Sequence, residues 1–311
     1  MLAVQKLKTT KDSLHYGKAL AKLIERNLGS LLPKTDNTRV ALLLSAGIDS
    51  TVVGIAASEL GYKIHAYTFQ LGSTTSFDSK WAKNTAEYFG WKWQLIKLPT
   101  GINTLKRDFH ILRTDWECRK KRDYECAWPM LYTYPQLEEK WVLSGLGFDA
   151  YFVLGRKPTL AGEGGVNCTK EAFDGNRVRY WTPWLEDGED SLSQEYNPSG
   201  LYQHRLMMRE HNLVDCNPFL GRNIFDFFLR FSWQELNMPR QKHFMAGTYP
   251  EQLSHVGHRN HVNYQLGAGI DTHFEQLLDE PSVNVRRRSR IMDLCRDWSA
   301  APEAKGLFGK R

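Results

Sequence analysis

This sequence predicts an α/β fold, a doubly wound parallel sheet with a helical C-terminal part. Three observations carry the prediction. Short apolar runs of strand length alternate with stretches whose apolar residues recur at helical spacing, and such alternation implies a parallel sheet covered on both faces. The runs are continuous instead of alternating with polar residues, as strands buried on both sides require. Two of them end directly in glycine turns, at the carboxyl ends of strands, where open α/β sheets bind ligands.

Taken in order, Ser13 to Leu31 carries leucines and alanines at helical spacing, and Pro33 with the polar stretch Lys34 to Thr38 ends it. Arg39-Val-Ala-Leu-Leu-Leu44 reads as a buried strand. A helix from Ser50 to Leu60 follows the turn and is closed by Gly61. The unit then repeats: strand Lys63 to Leu71, a polar loop around Gly72 to Thr75, helix Ser79 to Phe89, Gly90, and strand Trp91 to Leu98. Trp141-Val-Leu143 is a fourth strand and leads into Ser144-Gly-Leu-Gly147. The stretch 155–200, with its glycines, Pro158, Pro183, Pro198 and acidic clusters, is expected to be a long loop region. Leu201 to His211 and Arg222 to Phe231 read as helices. The expected organisation is an N-terminal helical segment 1–38, a main domain 39–265 and a basic C-terminal extension 266–311.

Bulk properties narrow the function classes. The 311 residues, 41% hydrophobic and 24% charged, suit a globular chain long enough for one large α/β domain. There is no apolar run of membrane-spanning length, and lysines interrupt the amino terminus, so a cytoplasmic protein with no membrane partner is expected. Five scattered cysteines without a Cys-x-x-Cys pair argue against a disulfide framework, a zinc ribbon or a four-cysteine iron–sulfur site. The formal charge of +6 is concentrated at Arg286-Arg-Arg-Ser-Arg290, Lys305, Lys310 and Arg311. That cluster suits a solvated tail or a nucleic-acid contact.

The turn Ser45-Ala-Gly-Ile-Asp-Ser50 carries the chemistry. A turn of small residues between a buried strand and a helix presents backbone N–H groups at a positive helix end, a cradle for phosphate. Gly47 permits close backbone approach, and Ser45 and Ser50 add hydroxyls. Asp49 would repel a phosphate unless a cation stood between them, so it implies Mg²⁺ bound with a pyrophosphate group. No Gly-x-x-x-x-Gly-Lys-Ser/Thr run exists in the chain. The turn resembles the Ser-Gly-Gly-x-Asp-Ser loop of the PP-loop ATP pyrophosphatases, with Ala46 replacing one glycine.

The second turn, Val142-Leu-Ser-Gly-Leu-Gly-Phe-Asp-Ala-Tyr-Phe152, is similar to the Ser-Gly-x-Gly-x-Asp-x-x-Phe segment of the asparagine synthetase and β-lactam synthetase family. A dinucleotide fingerprint, Gly145-x-Gly147-x-x-Ala150, is its rival. The family resemblance spans roughly Ser13 to Tyr264 and lacks the amino-terminal glutaminase domain of asparagine synthetases. It implies an adenine nucleotide α-hydrolase-like fold in which Asp49 and Asp149 hold magnesium with the pyrophosphate. It also implies that the strand ends at Leu44 and Phe69 frame adenine and that Ser144 and Gly145 approach the nucleotide. Pro239-Arg-Gln-Lys-His243 stands where the family has its Lys-His, which makes Lys242 the group that stabilises transition-state charge. Arg259 lies where the family places a basic residue near its phosphates.

The reaction so implied is ATP-dependent, AMP- and pyrophosphate-forming amide ligation, in which a carboxylate is adenylated and passed to ammonia or an amine. Three departures from the family bear on it. Leu146 replaces a glutamate near the incoming ammonia, which weakens asparagine as the product. Gly221 replaces an acid after the motif-like Val214-Asp-Cys-Asn-Pro-Phe-Leu220. With no glutaminase domain, free ammonia, an amine or a glutaminase partner must supply the nucleophile. Two other readings stay open: a PP-loop enzyme adenylating a nucleobase in RNA or DNA, and a nucleotide-binding regulator without turnover. Trp116, Trp128, Tyr180, Trp181 and Trp184 serve either as core packing or as stacking surfaces for a base. His255, His258 and His261, spaced by three, suit a transition metal or a solvated cluster.

Overall fold

The computed structural model describes residues 11–34, 38–152, 169–238, 241–256 and 267–277. Five strands, β1 (Arg39–Leu43), β2 (Lys63–Leu71), β3 (Lys92–Leu98), β4 (Trp141–Leu143) and β5 (Val214–Asp215), form one parallel sheet in the order β3-β2-β1-β4-β5. This is the doubly wound sheet that the sequence predicts. The order reverses at β1, so the loops after β1 and β4 run side by side at the switch point.

The helices are α1 (Lys11–Leu31), α2 (Ile48–Glu59), α3 (Phe77–Phe89), α4 (Ile102–Thr114), α5 (Lys121–Thr133), α6 (Lys170–Asp187) and α7 (Leu201–Glu210). The short α8 (Arg222–Phe228), α9 (Trp233–Asn237), α10 (His243–Ala246), α11 (Pro250–Val256) and α12 (Ile270–Phe274) follow. Side chains alternate across the sheet into two cores. Val40, Leu42, Ile64, Ala66 and Leu143 face α1, α2, α3 and the helices after β5. Ala41, Tyr67, Ile96, Leu98 and Val142 face α4, α5, α7 and α12.

α1 packs into the first core. Leu20, Ile24 and Leu28, one helical turn apart, are fully buried in the first core, each stabilising by about 1.5–3 kcal/mol. Its crossing with α10 is unusually close: a Cβ on Gly17 would lie 2.2 Å from the Gly247 carbonyl carbon. α12 lies in the stretch where a basic extension is expected, yet Ala268, Ile270 and Phe274 are core residues. The basic cluster 286–290 lies outside the described residues.

The loop expected over 155–200 is corrected across its described part. Residues 170–187 form a helix, capped by the Thr169 hydroxyl accepting the Ala172 N–H at 3.2 Å. Phe173, Arg177 and Trp181 make its buried stripe. An arginine in the middle of the stripe, with Gly175 and Pro183 nearby, hides the periodicity. The Arg177 guanidinium is buried because it donates to the carbonyls of Phe228 at 2.7 Å and Phe231 at 2.9 Å and pairs with Asp174. Two of the grouped tryptophans, Trp128 and Trp181, are fully buried core residues.

One buried histidine gives the fold a pH dependence. Burial pushes the His204 imidazole down to about 4, and its Nδ1 meets the Tyr134 hydroxyl at 2.5 Å. The neutral form is favoured in the fold, so its contribution is complete above the ordinary value near 6.5. It is lost as the pH falls from there toward about 4, with an upper size of about 3 kcal/mol. Tm measured against pH should fall more steeply across that window in the native protein than in His204→Asn. Parallel curves would refute the assignment.

Candidate active site

The first turn is held in shape by its own hydroxyls. Leu44 is buried, its N–H donates to the Tyr67 carbonyl at 2.9 Å, and its carbonyl accepts the Thr68 hydroxyl at 2.8 Å. The Ser45 and Ser50 hydroxyls are 3.2 Å apart; the Gly47 N–H donates to Ser45 Oγ at 3.1 Å, and the Ser45 N–H donates to Ser50 Oγ at 3.2 Å. Gly47 caps α2 without a side-chain acceptor for the first-turn N–H groups, the arrangement that favours an anion at a helix start. Asp49 stands in that first turn.

The second turn lies directly on the first. A Cβ on Gly145 would be 2.9 Å from Asp49 Cβ and 3.1 Å from the Ser50 nitrogen, so only glycine permits the contact. Ser144 is buried beside it. Gly147, at φ 84°, turns the chain into a single 3₁₀ turn, Phe148–Tyr151, which carries Asp149. A dinucleotide fingerprint opens a long helix instead, and that rival reading is thereby removed.

Lys242 joins the two turns. It caps α10 in the left-handed conformation, φ 57° and ψ 30°, which costs a lysine about 1–2 kcal/mol. Its ammonium donates to Asp49 Oδ2 and to Asp149 Oδ1. Burial disfavours the charged lysine, but the carboxylates of Asp149 and Asp49 outweigh that cost and hold its pKa above the ordinary value. Two carboxylates converging on one cation are also a fitting donor pair for magnesium, a hard ion that takes oxygen ligands. The rings of Phe148 and Phe152 stand 5.9 and 5.8 Å from Lys242 Nζ, a cation–π setting in which Phe152 is the phenylalanine that ends the second motif.

The remaining candidates fall around this centre. Phe69, partly buried near the carboxyl end of β2, packs against the second core. Leu146 packs against the first core, and its carbonyl accepts the Asn217 amide at 2.7 Å. The space beside Gly221 is filled by a reciprocal amide pair, with Asn27 donating to Asn223 at 3.0 Å and Asn223 donating back at 2.7 Å. Arg259, His258 and His261 lie outside the described residues, and His255 is exposed, its ring stacked on Tyr88 at 5.0 Å. No described helix is long and apolar enough to cross a membrane.

Comparison with known proteins returns one family, described as asparagine synthase, over residues 32–153. No curated protein matches in sequence. Among solved structures, a predicted subunit of a tRNA methyltransferase from Methanocaldococcus jannaschii is similar at 16% identity and a TM-score of 0.32, over 62% of this chain and 76% of that one. The U34-tRNA thiolase NcsA from Methanococcus maripaludis, with its [4Fe-4S] cluster, is similar at 12% identity and a TM-score of 0.33, over 98% of this chain and 84% of that one. Both superpositions are loose. The matched stretch contains both turns and both aspartates, and over residues 32–153 the chain is similar to the asparagine synthase family.

Proposed function

We propose that this protein is an ATP-dependent ligase that forms AMP and pyrophosphate while joining an acid to ammonia or an amine. The observation that carries the reading is the meeting of Lys242 with Asp49 and Asp149 where two glycine turns touch. The turn 45–50 would bind the phosphates of ATP through its N–H groups and hydroxyls. Magnesium held by Asp49 and Asp149 would supply neutralisation of pyrophosphate charge. An oxygen of the acid attacks the α-phosphorus, the bond to the β-phosphate breaks, and pyrophosphate leaves. The nitrogen nucleophile then attacks the acyl carbon, forming the C–N bond and expelling AMP, with a proton released to solvent. The Lys242 ammonium would offset the negative charge that builds up in either step.

Leu146, in the second turn, stands where the resembling family has a glutamate near the incoming ammonia, and an apolar side chain there favours a product other than asparagine. The same feature favours a second reading, adenylation of a nucleobase carbonyl in RNA or DNA. Incubation with ATP, magnesium, ammonia and either a panel of carboxylic acids or bulk RNA, followed by separation of the adenine nucleotides, tests both. Substrate-dependent AMP and pyrophosphate are expected, and the substrate pool that elicits them selects the reading. ADP and phosphate as the sole products would overturn both.

A further inference from the structure

At the opposite end of the sheet from the two turns, the structure assigns a second cation site, a transition-metal site of the zinc type formed by His65, Glu138 and Glu139. His65 is the third residue of β2, and the two glutamates immediately precede Lys140 and β4. One ligand atom from each of the three lies within 4.8 Å of the others. His65 Nδ1 is 2.9 Å from Glu139 Oε1 and 3.9 Å from Glu138 Oε2. Ligands bound to zinc at roughly 2.0–2.2 Å stand roughly 3–4 Å from one another, so the separations need little adjustment to enclose an ion.

Three polar groups crowd around Nδ1 and the Glu139 carboxylate. Nδ1 has one in-plane position for a partner, yet Glu139 Oε1 approaches at 2.9 Å and the Tyr67 hydroxyl at 2.7 Å, while that hydroxyl also meets Glu139 Oε2 at 2.8 Å. With the proton on Nδ1, that N–H is shared between Glu139 Oε1 and the Tyr67 oxygen while the phenol donates to Glu139 Oε2. His65 and Glu139 are each 2% exposed at the side chain, so their mutual geometry is fixed by packing. Glu138 is 50% exposed, which gives an ion its way in. Nearby positive charge comes from Lys92, 2.9 Å from Glu138 but itself 55% exposed, a surface pair of small energetic weight.

The donor set selects the ion. An imidazole with two carboxylates and no thiolate suits zinc or manganese, whereas magnesium and calcium prefer oxygen alone. With the ion on Nδ1 and Glu139 Oε1, the Tyr67 proton is left to Glu139 Oε2, orienting that carboxylate as an outer partner of the metal. The placement also gives the ion a task. β2 and β4 are not neighbours; β1 lies between them, and its small Ala41 pairs in register with both His65 and Val142. An ion here would clasp β2 to the segment entering β4 across the central strand.

The test uses the whole chain, stripped with a chelator and dialysed against zinc without nucleotide. Retention of one equivalent of zinc and a rise in Tm are expected. His65→Ala would leave Glu139 buried with a lost partner and threatens the fold, so the diagnostic variant is Glu138→Gln at the half-exposed position. It should match the parent in Tm under chelator and bind zinc at least about 10-fold more weakly. Asp49→Asn, at the other end of the sheet, should bind zinc as the parent does. Three results would each overturn the assignment: no zinc retained, undiminished binding by Glu138→Gln, or zinc lost on Asp49→Asn.

Discussion

Lys242→Met should slow AMP formation by about 10²- to 10³-fold, the usual effect of removing one group aimed at transition-state charge. The variant keeps an unbranched side chain of similar length, so it removes the charge and little volume. In the native chain the ammonium pairs with both Asp49 and Asp149 and offsets half of their charge. Without it the two carboxylates face each other, and stability falls as well. The loss should stay below the about 3–5 kcal/mol seen when a fully buried pair is broken, because the Asp149 side chain is 41% exposed and water reaches it. Magnesium should then raise the Tm of the variant more than that of the parent, since it alone can neutralise the pair. Single-turnover rates and melting curves with and without magnesium measure both effects. An unchanged rate would remove Lys242 from the catalytic machinery, and a Tm indifferent to magnesium would remove the metal from this pair of aspartates.

What was legible in the sequence follows from how local the signals are. β1 and its turn could be read because a continuous apolar run, a glycine turn and a helix follow one another without a gap. Asp49 was marked by a carboxylate standing in a phosphate cradle, and Asp149 by the likeness of its turn to a family segment. The union of those aspartates with Lys242 spans 193 and 93 residues, and only the likeness to a family pointed to it. α6 escaped because its stripe runs through Arg177, whose burial depends on the carbonyls of Phe228 and Phe231, about fifty residues away in the chain. The cluster at His65 had a faint signal, two polar-capable residues, His65 and Tyr67, on one face of β2. Glu139 is their partner across 74 and 72 residues, which no periodicity reveals.

Gly247→Val should be the most destabilising single change outside the site. A Cβ at this position would stand 1.7 Å from the Ser13 carbonyl oxygen and 2.4 Å from its carbon, and both are backbone atoms that no rotamer change can move. α1 must therefore shift bodily from α10, separating Leu20 and Ile24 from their core contacts. The cost should reach or exceed the upper end of the about 1–3 kcal/mol typical of overpacking. The same shift reaches the chemistry, because α10 begins at the left-handed Lys242, and a displaced ammonium no longer spans Asp49 and Asp149. AMP formation should drop in the folded fraction as well as in the total. Gly29→Ala on the same helix is the control: nothing lies within 4 Å of a Cβ there, so relief of glycine's entropy should leave stability equal or raise it by up to about 1 kcal/mol. Urea unfolding of the three proteins, with activity measured on the folded material, separates the contributions. If Gly247→Val proved as stable as Gly29→Ala, the close crossing of α1 and α10 would be wrong, and with it the physical account of how Lys242 is held in place.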